Sequence, residues 1–132
     1  MAAIKYLSPD WTAEANKRLR GQLTAAEMKF VTSSMLTLYH NCPDGKDRAL
    51  YFKIENGIFT EISVREPPLP QAEFVISGEY ATFAKITRAQ LGSRVALLNG
   101  KLRLTGNMVK ALMLTPIVDR FNKILAGIPC EY

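Results

Sequence analysis

The chain has 132 residues, 48% hydrophobic and 22% charged, the size and make-up of one globular domain of ~100–150 residues. That is enough apolar material for a core without disulfides or metals, and no apolar run approaches the ~20 residues that span a bilayer. The net charge of +5, from 17 Lys+Arg against 12 Asp+Glu, suits an anionic partner. Its scatter, without basic stretches interleaved with aromatics, argues against nucleic acid.

The first predicted element is a helix opened by Ser8-Pro9-Asp10: a capping hydroxyl, a proline at the first helical position and an acid at the positive end of the dipole. Trp11, Ala15, Leu19 and Leu23 then recur every fourth residue as one apolar stripe. Thr24-Ala-Ala-Glu27 has the spacing of a capping box and predicts a further short helical turn. Val31 to Tyr39 is rich in β-branched and aromatic residues and predicts a strand, turned by Cys42-Pro-Asp-Gly45. Ala49 to Glu55 and Ile58 to Arg65 alternate around Asn56-Gly57, a strong hairpin signal. The three strands predict an antiparallel meander with one wet face.

Pro67-Pro-Leu-Pro70 makes a stiff connection to a short strand, Phe74 to Ser77. Gly78 is expected to break it, and Glu79 to start a helix with Tyr80, Phe83, Ala84, Thr87 and Leu91 on one face. Gly92-Ser93 re-caps a turn or two over Arg94 to Leu98, and Lys101 to Thr105 alternates as a fifth strand. Two further helices are predicted, one from a Gly106-Asn107 cap through Met113, the other Ile117 to Ala126 after Thr115-Pro116. The element order predicts a single α+β domain over residues 1–132, with a mostly antiparallel five-stranded sheet covered by helices.

Motifs for catalysis do not assemble. His40, Cys42, Asp44 and Asp47 cluster, but Pro-Asp-Gly is what a turn demands and only two nitrogen or sulfur ligands are present. Gly-x-Ser-x-Gly is absent, Gly100-Lys101 lacks the rest of a phosphate-binding loop, and Glu55 and Glu61 lie in polar strand registers. No catalytic residue, metal or cofactor is expected. Two cysteines, Cys42 and Cys130, are too few for a disulfide scaffold and too far apart in sequence for a metal site, and read as free thiols. Residues Met1 to Lys5 lack the apolar core of a secretory leader. Both point to a cytoplasmic protein.

What stands out is the apolar load from Phe74 to Leu125. The stretch Met108 to Leu114 is apolar nearly all round, interrupted by Lys110, and demands burial on more than one side. Core packing explains this, and so does a pocket walled by pliable Met and Leu.

Phe74-Val-Ile-Ser-Gly-Glu-Tyr80, a helix, then Ala96-Leu-Leu-Asn-Gly-Lys-Leu-Arg-Leu-Thr-Gly-Asn107 resembles the sterol carrier protein type 2 family of lipid-binding domains, in a stand-alone form similar to its prokaryotic members. The first helix and the Asn56-Gly57 hairpin agree in order. The resemblance implies helices on one side of the sheet and an apolar tunnel between. It implies non-enzymatic binding and transfer of a fatty acid, fatty acyl-CoA, sterol-like or isoprenoid/quinone-type ligand. The alternative is an accessory protein that presents a hydrophobic substrate to a partner enzyme. Other expected partners are an anionic membrane surface and a lipid-metabolising enzyme, each met transiently.

By this analogy the tunnel is lined by Phe83, Leu98, Leu102, Met108, Leu112, Met113, Val118, Phe121 and Leu125, and Arg103 or Lys110 meets the head group. The family's peroxisomal members end in a Ser-Lys-Leu-type signal, whereas this sequence ends Pro-Cys-Glu-Tyr132. Asn107 also stands where many members carry Asp.

Overall fold

The computed structural model describes residues 4–132; Met1 to Ala3, which belong to the stretch read above for a leader, lie outside the described residues. Helix α1 (Pro9–Gln22) starts where Ser8 caps it, the hydroxyl accepting from the Trp11 N–H, and its stripe of Trp11, Ala15 and Leu19 is fully buried. Thr24 and Glu27 do form the reciprocal box: the Glu27 carboxylate accepts from the Thr24 N–H, and the Thr24 hydroxyl from the Glu27 N–H. It closes a run of turns rather than a helix, because Lys29 and Phe30 adopt positive φ immediately after.

Strands β2 (Ser33–His40), β3 (Arg48–Glu55) and β4 (Ile58–Arg65) form the antiparallel meander. Asn56 (φ 49°) and Gly57 (φ 81°) both take left-handed backbone, as a type I′ hairpin requires. The chain then crosses to the other side of β2. There β5 (Phe74–Glu79) pairs with β2 in parallel, and β6 (Leu102–Thr105) pairs antiparallel with β5, giving the order β4-β3-β2-β5-β6. Gly78 does not break β5; the strand runs on through it. A side chain there would stand 2.8 Å from Leu102 Cδ2 and 3.2 Å from the Phe83 ring, so glycine permits the β5–β6 approach.

The expected wet face of the meander is partly covered. Leu36, Ala49 and Tyr51 are buried on it against Leu38, Ala72 and Val75, because the connection from β4 to β5 brings Ala72 over that face, and Arg65 stacks on Tyr51 at 5.5 Å.

The opposite face carries the helices. Helix α2 (Tyr80–Thr87) is shorter than predicted, and α3 (Ser93–Leu98) follows after a turn. The two predicted C-terminal helices are one, α4 (Met108–Ala126), with Pro116 inside it. Proline removes the N–H that would bond the Leu112 carbonyl. The neighbouring Thr115 hydroxyl donates to that same oxygen at 2.8 Å, so the helix continues with its carbonyl satisfied. Two short strands not foreseen, β1 (Ile4–Lys5) and β7 (Cys130–Glu131), pair in parallel and bring the ends of the chain together. Arg18 on α1 donates to the Gly127 carbonyl at the end of α4.

The core runs between sheet and helices. Phe121 of α4 meets Phe59 edge-on at 5.4 Å and Phe52 at 5.7 Å. Towards the terminal strands the packing is aromatic and partly polar. Tyr6 stands edge-on to Trp11 at 4.9 Å, its hydroxyl 2.8 Å from that of Thr87 and 3.2 Å from that of Tyr39. Burial pushes the Tyr6 phenol up to about 12, against the lowering effect of these hydrogen bonds, and pushes Tyr39 well above the ordinary range.

These contacts have measurable consequences. Thr115→Val removes the hydroxyl from a buried site and leaves the Leu112 carbonyl unsatisfied, a loss of about 1–3 kcal/mol. Urea titration should show a lower midpoint at unchanged slope, and the double variant Thr115→Val/Pro116→Ala should recover most of the loss because alanine in place of the proline restores the N–H. Phenols whose folded pKa is raised keep their stabilising effect below about pH 10, the unfolded value, and lose it as pH climbs towards about 12. Stability measured against pH should therefore be level through neutrality and decline above pH ~10. Tyr6→Phe should lower the plateau and make that decline shallower.

Candidate functional site

Two interior cavities lie between the sheet and the helices. The first encloses about 70 Å³. Met35, Phe52, Ile54 and Ile76 wall it on the sheet side, Leu97 of α3 and Ala111, Leu114, Val118 and Phe121 of α4 on the helix side. The second encloses about 50 Å³, nearer the aromatic end, with Tyr6, Trp11, Tyr39, Phe83 and Leu125 in its wall. Both touch Met35, Phe52, Ile76, Leu102, Val118 and Phe121, so only side chains separate them.

Four hydroxyls line the first cavity, and each is engaged by protein. Ser33 donates to the Glu73 carboxylate at 2.5 Å, and Ser34 accepts from the Glu73 N–H at 2.9 Å. Ser93 donates to Asp119 at 2.9 Å, and Thr115 bonds the Leu112 carbonyl. What the cavity offers an occupant is therefore hydrocarbon.

One end of this cavity carries charge. Glu73, next to the lining residue Phe74, binds both Ser33 and the ammonium of Lys110, which is next to the lining residue Ala111. Lys110 and Ser33 hold the Glu73 carboxyl below its usual range.

The predicted site residues divide by the direction of their side chains. Leu102, Val118 and Phe121 line both cavities, and Phe83 and Leu125 line the second. Leu112 is half-buried against the core and lines neither. Leu98, Met108 and Met113 stand outside both cavities, 62%, 43% and 73% exposed. In the continuous α4 the inward face is Ala111, Thr115, Val118, Phe121 and Leu125, and Met113 falls on the opposite side. In α3, Ala96 and Leu97 turn inward, which leaves Leu98 outward. Lys110 stands at the cavity edge, already paired with Glu73. Arg103 does not: it alternates with the inward Leu102 and Leu104, and borders a surface groove with His40, Ser77 and Glu79.

The residues missed are Met35, Phe52, Ile54 and Ile76 on the sheet side and Leu97, Ala111 and Leu114 on the helix side. The alternation that puts Phe52 and Ile54 on one face is visible in the sequence. What the sequence does not show is that this face opposes α4.

The turn cluster at His40 assembles no metal site. Cys42 is buried in the core, while His40 lies on the surface, its Nδ1 3.2 Å from Asp47. No three of His, Cys, Asp and Glu converge among the described residues. Among them, too, no helix is long and apolar enough to cross a membrane.

Known proteins give this fold a lineage. The family described as "SCP-2 sterol transfer family" matches residues 4–119. Among solved structures the chain is similar to a crystal structure of sterol carrier protein 2, with a TM-score of 0.79 and 18% identity, covering 94% of this chain and 99% of that one. It is similar to the same degree (TM-score 0.79, 17% identity, 99% and 94% covered) to a conserved hypothetical protein from Thermus thermophilus. The palmitated SCP2L2 of Aedes aegypti follows at a TM-score of 0.60 and 15% identity, with 84% and 94% covered. No curated protein sequence matches. With a shared fold and a family match over most of its length, the chain belongs to the SCP-2 sterol transfer family.

Proposed function

We propose that the chain acts as one non-enzymatic domain that binds and carries a lipid with a long hydrocarbon chain. The acyl chain lies in the seam between the sheet and α4. The observation that supports this reading is the first cavity, where every lining hydroxyl has a protein partner and the remaining wall is mostly Met, Val, Ile, Leu and Phe. Such a wall attracts hydrocarbon by burial, at ~0.8 kcal/mol per methylene. It offers no directional contact that would select a ring system or a particular chain. A fatty acid or its thioester fits that chemistry best, and an isoprenoid tail fits it next.

At about 70 Å³ the cavity is far below the ~300–1,000 Å³ of ordinary small-molecule sites. Binding a whole acyl chain therefore joins the two cavities by turning side chains such as Met35 and Val118, which border both, and by outward movement of α3. Methionine is suited to this, being unbranched and polarizable. At the charged end, an anionic head group competes with Glu73 for Lys110.

Displacement of a fluorescent fatty acid tests the proposal. The wild-type chain should bind it, and Val118→Trp, which fills the seam, should weaken binding at least about tenfold. Leu69→Trp, on the exposed proline-rich connection, should leave binding unchanged. A wild-type chain that takes up no fatty acid and yields no co-purified lipid in native mass spectrometry would overturn it. The same spectrum separates the accessory reading, in which the seam presents its occupant to an enzyme, through the added mass of a bound protein.

A further inference from the structure

The basic residues are spread along the chain, but its net positive charge comes from one stretch that holds no acid. From Tyr80 to Val118 there are six Lys and Arg (Lys85, Arg88, Arg94, Lys101, Arg103, Lys110) and no Asp or Glu. The remainder holds 11 Lys and Arg against 12 acids, so the net +5 belongs to this stretch. The same stretch breaks the rule that large apolar side chains are covered. Of eight exposed ones among the described residues, five lie here: Val95 and Leu98 on α3, and Met108, Val109 and Met113 on α4.

These side chains share a surface. Helix α3 is tied to α4 by Asp119, which accepts from both the N–H and the hydroxyl of Ser93. Leu97 of α3 faces the first cavity together with Ala111 and Leu114 of α4. Both helices thus turn their inner faces to one cavity, and their outer faces form its roof. Arg94 is exposed on the same face of α3 as Val95 and Leu98, and Lys101 follows in the turn. Of the carboxylates that border this surface from outside the stretch, Glu73 is held by Lys110 and Ser33, Asp119 by Ser93, and Glu79, which lines a groove with Lys101, by the Asn41 amide.

We propose that this roof, the outer faces of α3 and the first half of α4, is a docking surface for an anionic lipid bilayer. Val95, Leu98, Val109 and Met113 enter the interface while Arg94 and Lys101 meet the phosphates. Apolar side chains flanked by cations are the pattern that seats a helix in the headgroup region. A second copy of the chain fits the surface poorly, since a two-fold contact would set its cations against themselves. Docking here would place the movable wall of the cavity against the source of its occupant. The proposal rests on the lipid-carrying reading for that purpose, and its charge and apolar arguments stand without it.

Flotation of the full chain with vesicles tests this. Vesicles of phosphatidylcholine with phosphatidylglycerol should carry the protein, and phosphatidylcholine alone should not. Raising salt from low to physiological concentration should weaken binding several-fold. Val109→Asp/Met113→Asp and, separately, Arg94→Glu/Lys101→Glu should each weaken vesicle binding about tenfold or more. Fatty-acid displacement in vesicle-free solution should be unchanged in both, which also shows that the variants are folded. Equal binding to both vesicle types overturns the proposal, as does wild-type binding by both variants. So does sedimentation of the wild type as a dimer that Val109→Asp/Met113→Asp dissolves. If the chain takes up no fatty acid yet floats with the anionic vesicles, the docking surface stands and the carrier reading fails.

Discussion

Helix α4 continues across a proline, and much of the interior is arranged around it. Its inner face borders the first cavity at Ala111, opposite Met35 and Ile76 of the sheet. It meets the Phe52–Phe59 pair at Phe121 and the aromatic end at Leu125. A kink at Pro116 would pull the first of these contacts away from the others. The Thr115 hydroxyl offsets part of the cost of an interior proline, by taking the carbonyl left without an N–H. The helix thereby continues unbroken over nineteen residues.

The two halves of that helix meet different partners. The C-terminal half is closely tied: Phe121 packs against two rings, Arg18 reaches the Gly127 carbonyl, and Arg120 donates to the Glu27 carbonyl. The N-terminal half lies over the first cavity, where its Ala111 and Leu114 share the wall with Leu97 of α3. Unfilled space lies beside both halves, about 70 Å³ at Ala111 and Leu114 and about 50 Å³ at Phe121 and Leu125. The exposed apolar side chains gather over the N-terminal half, and the acid-free stretch of sequence coincides with it.

Much of the fold is legible in the sequence. The α1 stripe, the Asn56-Gly57 turn and the alternation in β3 and β4 are local patterns with local causes, and each predicts its element. Errors fall where two causes compete. Thr115-Pro116 reads as a helix start, because proline is favoured there, and nothing in the periodicity shows that a hydroxyl can offset it within a helix. The resemblance assigns Met113 and Leu98 to the tunnel wall. Their direction depends on the phase of α4 and α3 against the sheet, and dividing α4 into two helices loses that phase. The resemblance likewise puts Arg103 at the head group, whereas strand alternation turns it away from the face of Leu102 and Leu104.

The sequence by itself determined most of the helices and strands, the family to which they belong, and the chemistry available: hydrocarbon and a surplus of cations. Period and composition carry that information because hydrogen bonding and burial act over a few neighbouring residues. Tertiary structure alone decided that β2 and β5 pair in parallel, that the terminal strands meet, and that Glu73 holds Lys110. It also decided that the apolar excess is divided between a cavity wall and the surface above it. Those outcomes depend on contacts between residues far apart in the chain, where one step of register or a fraction of a helical turn exchanges inside for outside.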